Sequence, residues 1–131
     1  MTAPHEWTNP PGMYVPQAHY SQVARAGNTL YISGQLGFDQ EGHLVGPGDA
    51  RAQARQAWRN LLAILAHYGA TPRHLVKTNT YITHWAYRPQ VGEARDEIFP
   101  APPYPPSTLV VVAGLAEPQF LVEIEAIAVL D

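Results

Sequence analysis

Apolar residues recur with two different periods along this chain, and each change of period marks an element. Thr29-Leu30-Tyr31-Ile32-Ser33-Gly34 is rich in β-branched and aromatic residues and reads as a strand. Tyr20 to Ala26 reads as its hairpin partner across a Gly27-Asn28 turn. Gly34 and Gly37 then interrupt the strand pattern, which predicts a bend or the close approach of another group, and Glu41-Gly42-His43-Leu44 predicts a further turn. From Asp49 the period becomes helical. Ala54, Ala57, Trp58, Leu61, Leu65 and Tyr68 share one face, with Asp49 placed to cap the start and Gly69 to stop the end. Leu75 to Thr83 reads as a strand, and Pro89 to Ile98 as a second, weaker helix with Val91, Ala94, Arg95 and Ile98 giving a partial face. The run Leu109-Val110-Val111-Val112 makes Ser107 to Ala113 a predicted buried strand. Phe120 to Leu130 is a last strand, apolar on both faces except at Glu123 and Glu125.

The resulting order, β-β-α-β-α-β-β, predicts an α+β fold in which two helices cover one face of a mixed sheet. The strands carry apolar residues at both parities, so the second face also needs a cover, and another copy of the chain is the simplest one. Residues 1–131 form one expected domain, with 1–16 as an extended, proline-rich arm (Pro4, Pro10, Pro11, Pro16). A second proline cluster, from Pro100 to Pro106, is expected to be an extended connection.

Composition narrows the function. The net charge is −3, with one lysine, Lys77, and scattered arginines, so nucleic acid is not the expected partner. Without cysteine the chain has no thiolate nucleophile and no Cys-ligated metal. No basic start followed by an apolar run opens the chain, and no stretch approaches the roughly 18 apolar residues of a membrane span, so the cytoplasm is the expected compartment and no membrane partner is expected.

Glu123 and Glu125 are the residues most out of keeping with their surroundings. Two apart in a strand, they share a face, and a buried carboxylate is costly unless paired or protonated. They are candidates for acid–base work with raised pKa, or else for a structural ion pair with an arginine. Tyr20, at the start of the first strand, is a packing residue or a catalytic one. Arg51, Arg55 and Arg59 line the outer side of the first helix, either as an ordinary solvated face or as an anion-binding ridge. The six histidines have no metal-ligand spacing, Ser33 lies in no nucleophile elbow, and no phosphate-binding glycine loop occurs, so no metal and no cofactor is expected.

Tyr20-Ser21-Gln22, Tyr31-Ile32-Ser33-Gly34-Gln35, Ala52-Gln53-Ala54-Arg55-Gln56-Ala57-Trp58-Arg59-Asn60-Leu61, Val76 to Ile82 and Val122-Glu123-Ile124-Glu125-Ala126-Ile127-Ala128 together resemble the RidA/YjgF family of reactive-intermediate deaminases, over roughly residues 17 to 130. The resemblance implies a chorismate-mutase-like fold and a homotrimer with ligand clefts where subunits meet. It also implies cofactor-free hydrolysis of imines or enamines such as 2-aminoacrylate. It places Glu123 and Tyr20 as catalytic residues, and Ser33, Gly34, Ser107, Thr108 and Leu109 as ligand contacts. One departure stands out. The family's P-x-R-[ST] motif, whose arginine grips the substrate carboxylate, reads Pro105-Pro106-Ser107-Thr108 here, and Gly92 stands near a usual asparagine. An extra residue also falls near Glu117-Pro118. A standard 2-aminoacrylate deaminase is therefore not expected; a related imine, enamine or tautomer substrate is. The alternatives are a non-catalytic metabolite-binding trimer and an endoribonuclease or translation inhibitor. Arg88 or Arg95 could supply the missing charge.

Overall fold

The computed structural model describes residues 5–131. Eight elements follow in chain order: β1 (Glu6–Thr8), β2 (Val23–Ala26), β3 (Thr29–Gln35), α1 (Ala50–His67), β4 (Leu75–Ile82), α2 (Arg88–Ile98), β5 (Ser107–Val111) and β6 (Val122–Val129). The strands form one six-stranded mixed sheet in the order β1-β2-β3-β6-β4-β5. Only β4 and β5, joined through α2, run parallel; every other pair is antiparallel.

Local chemistry sets the ends of α1. The Asp49 side chain accepts a hydrogen bond from the Ala52 N–H at 3.0 Å, and Gly69 takes φ +70°, a conformation a side chain would strain. The apolar stripe between these ends is fully buried. Ala54, Ala57, Trp58, Leu61, Ile64 and Leu65 lie against Leu30, Ile32, Val122, Ile124, Ala126 and Ala128 of the sheet in one core. Burying each of the larger of these side chains contributes about 1.5–3 kcal/mol. Trp58 meets Phe99 edge-on at 5.6 Å between ring centroids, which ties the end of α2 to α1.

Three sequence expectations change. The arm contains β1, which pairs with β2 along Glu6↔Arg25, Trp7↔Ala24 and Thr8↔Val23. A three-residue strand is too short to show alternation, and residues 1–4, Pro4 among them, lie outside the described residues. Second, β5 is not buried: it is an edge strand in the single chain, with Val110 41% and Val111 47% exposed. Third, the outer side of α1 is not simply solvated. Arg51 pairs with Glu93 at 2.6 Å, and Arg55 with Glu97 at 2.5 Å, both on α2.

Strand pairing assigns the faces. Residues directly opposite one another point the same way. Tyr31, Ile127 and Lys77 therefore lie across from one another on the helix-free face, as do Glu123, Tyr81 and Val110. On that face Tyr31 is 51% exposed and Val129 is 42% exposed.

Candidate functional site

The alternation of β6 decides where its two carboxylates go. Val122, Ile124, Ala126 and Ala128 are buried under the helices, so Glu123 and Glu125 project from the opposite face. Their surroundings differ. Glu125 accepts a hydrogen bond from the Tyr81 hydroxyl at 2.6 Å and another from the Asn79 amide at 3.1 Å, both from β4. Neutral donors on the neighbouring strand therefore serve it, not an arginine. Glu123 has no such partner among the described residues; it is half-buried and lies over the backbone of Gly34. A Cβ on Gly34 would fall 2.0 Å from the Glu123 Oε1. Burial first, and then the Glu125 charge, push the Glu123 carboxyl above its ordinary pKa.

Gly34 comes this close because β3 breaks register there: Ile32 pairs with Ala126 and Gln35 with Ile124, with an irregularity between. Two buried amides hold the irregular segment. Gln35 Nε2 donates to Gln22 Oε1 at 2.7 Å and to the Ser33 carbonyl at 3.0 Å, and the Ser33 hydroxyl donates to the Gln22 carbonyl at 3.1 Å. Gln22 N–H in turn donates to Asn9 Oδ1 at 3.0 Å, which fastens the arm. Tyr20 leads into this segment. Burial raises its phenol first, and then the nearby Glu123 charge and Tyr14, so it remains a neutral O–H donor at neutral pH. Tyr20, Gln22, Gly34, Gln35 and Phe38 share the wall of a cavity of ≈ 440 Å³.

The structure thus brings together Tyr20, Gly34 and Glu123. Ser33 lies next to them with its hydroxyl proton engaged. Ser107, Thr108 and Leu109 lie elsewhere. Ser107 pairs with Thr78 and Leu109 with Thr80, on the helix side of the sheet, while Thr108 turns to the open face and accepts from Lys77 Nζ at 2.7 Å. Within one chain they do not meet Glu123. Gln22, Gln35, Asn79 and Tyr81 went unassigned in the sequence. For Asn79 and Tyr81 the signal was present: they alternate on a strand beside the two glutamates. Asp39, Glu41 and His43 bring ligand atoms within 4.8 Å of one another. They sit on an exposed turn whose Asp39 Oδ1 already accepts the N–H groups of Glu41 and His43. Among the described residues no helix is long and apolar enough to cross a membrane.

Comparison with known proteins identifies relatives of nearly the whole chain. Residues 13–130 match a family described as Endoribonuclease L-PSP. The chain is 34% identical over 116 residues to a protein of Dermatophagoides farinae named 2-iminobutanoate/2-iminopropanoate deaminase, covering 88% of this chain and 89% of that one. It is 31% identical over 125 residues to the 3-aminoacrylate deaminase RutC of Acinetobacter baylyi, covering 95% and 98%. Among solved structures it resembles RidA of a Psychrobacter species with a TM-score of 0.82 at 36% identity, over 91% of this chain and 94% of that one.

Proposed function

The chain belongs to the Endoribonuclease L-PSP (RidA/YjgF) family, and from that membership we propose that it hydrolyses a small imine or enamine without a cofactor, at a cleft built around Glu123. The observation that carries the reading is the contrast between two carboxylates on one strand. Glu125 accepts hydrogen bonds from Tyr81 and Asn79; Glu123 is unpaired among the described residues, half-buried and raised in pKa beside a neutral Tyr20. A carboxyl raised in this way is a better proton carrier than an ordinary solvated one. Water adds to the imine carbon while its proton passes to Glu123. That proton is returned to nitrogen to give the carbinolamine; Glu123 then takes the hydroxyl proton and passes it to the amine as the C–N bond breaks, so that ammonia leaves and the carbonyl forms. Tyr20 holds the developing amine or the water by its hydroxyl.

The assembly is a homotrimer with its clefts between copies. Tyr31, Val110 and Val129 expose apolar surface on the open sheet face. A second copy packed against that face and around the β5 edge covers them and brings Ser107, Thr108 and Leu109 of one subunit toward Glu123 of another. With Ser107 in place of an arginine, the substrate is one whose anion is held by other groups. The description of the family names an endoribonuclease, but Arg51 and Arg55 are engaged by Glu93 and Glu97, which weighs against an RNA-binding ridge on α1.

The test is ammonia release from 2-iminopropanoate generated in situ by an amino-acid oxidase. Wild type accelerates release, and Glu123→Gln lowers the rate by about 10²-fold or more, the range of general acid–base catalysis. A rate indifferent to Glu123→Gln sinks the mechanism, and sedimentation as a lone subunit sinks the assembly.

A further inference from the structure

Two cavities share Ser107, Arg95 and Asp96. The first, of ≈ 430 Å³, lies between β4, β5 and the end of α2, with Thr78 and Tyr104 in its wall. The second, of ≈ 480 Å³, also takes in Arg88, Trp85 and Leu109. Gly92 borders the same recess, with Arg95 Nη2 at an ordinary contact distance of 3.7 Å from where its Cβ would be. Two cationic side chains and a serine hydroxyl therefore line one recess.

Charge pairing around α2 leaves these two arginines available. The helix carries Glu93, Asp96 and Glu97, and two of the three are claimed from α1 by Arg51 and Arg55. Asp96 is 75% exposed and sits 3.6 Å from Arg95 Nη2, beyond hydrogen-bonding distance, so it does not saturate the guanidinium. The Arg88 guanidinium lies over the Trp85 ring at 5.4 Å, an arrangement that occupies its face and leaves its N–H edge free. A planar fork with unfilled donors beside a hydroxyl matches a carboxylate better than any neutral group.

We infer that Arg95, supported by Arg88 and the Ser107 hydroxyl, forms a carboxylate-binding subsite between α2 and β5 for compact 2-oxo or 2-imino monocarboxylic acids. The anion site stands on one chain's geometry. That the anion is the substrate's own rests on the function proposed above.

Titrating pyruvate, the product that hydrolysis of 2-iminopropanoate would leave, into the full-length protein at neutral pH tests it. Wild type binds pyruvate; Arg95→Ala weakens binding about tenfold or more, the loss expected for one charge-assisted contact. Arg95→Lys, which keeps the charge without the fork, falls between the two, and circular dichroism checks that both variants are folded. Glu123→Gln keeps the dependence of pyruvate binding on Arg95 while lowering turnover by about 10²-fold or more. Equal affinity in wild type and Arg95→Ala, or no pyruvate binding by wild type, overturns the subsite. Pyruvate held through Arg95 by a wild type that hydrolyses no 2-iminopropanoate upholds the subsite and overturns the catalytic reading alone.

Discussion

The Glu123 carboxylate occupies the space that a side chain at Gly34 would need. A Cβ on Gly34 would lie 2.0 Å from Oε1, 2.6 Å from Cδ and 2.7 Å from Cγ of Glu123. The glycine and the glutamate thus form one unit, although they belong to different strands separated by most of the chain. Gly34→Ala should displace the carboxylate, destabilise the protein by about 1–3 kcal/mol as overpacking does, and remove most activity. Adding Glu123→Ala removes the clashing atoms, so the double variant should regain melting temperature but no activity. A double variant as unstable as Gly34→Ala alone would place the strain elsewhere.

The raised pKa of Glu123 makes a signed claim about stability. Between the unfolded value near 4.5 and the higher folded value, the folded chain binds more protons than the unfolded one at this position. Stability therefore falls as pH rises through that window, and the ionised group is a net cost above it. Glu123→Gln should raise the melting temperature by a few degrees at pH 7, and the gain should disappear below pH 4.5, where both states of wild type are protonated. Thermal unfolding of the two proteins across pH 4–8 measures this. A gain that is flat with pH would mean the carboxylate is not titrating in this window.

Gln53 makes a different kind of link. Fully buried on α1, it accepts a hydrogen bond from the Leu121 N–H at 2.9 Å, and its Nε2 lies 3.2 Å from the carbonyls of both Gly46 and Gln119. Gln53→Leu keeps the volume but orphans the buried Leu121 N–H, which costs about 1–3 kcal/mol. Chemical denaturation should show that loss. Because Leu121 precedes β6 directly, 2-iminopropanoate hydrolysis should fall as well, although Gln53 lies outside the cleft. A variant as stable and active as wild type would show that the bond is dispensable.

What could be read in the sequence was whatever depends on near neighbours. Asp49 and Gly69 announce the ends of α1 through their own backbone chemistry, and the period of two at Glu123 and Glu125 fixes their common face. β1 could not be read, since three residues between prolines carry no period and pair only because β2 is there. β5 misled because its run of valines reads as buried, whereas in one chain it lies exposed on an edge. The position of Ser107 depends on its register with Thr78, about thirty residues away. The Gln22–Gln35 bond likewise joins two strands, so neither amide carries a local mark of its role.

The place of β6 between β3 and β4 has a dynamic corollary. A strand laddered on both sides opens only when much of the sheet opens with it, so its amide hydrogens should be among the slowest to exchange with solvent. The peripheral strands β1 and β5 open at far lower cost. Breathing that admits or releases a small guest therefore belongs to the rim, while the acid it meets is anchored on one of the least yielding segments of the sheet.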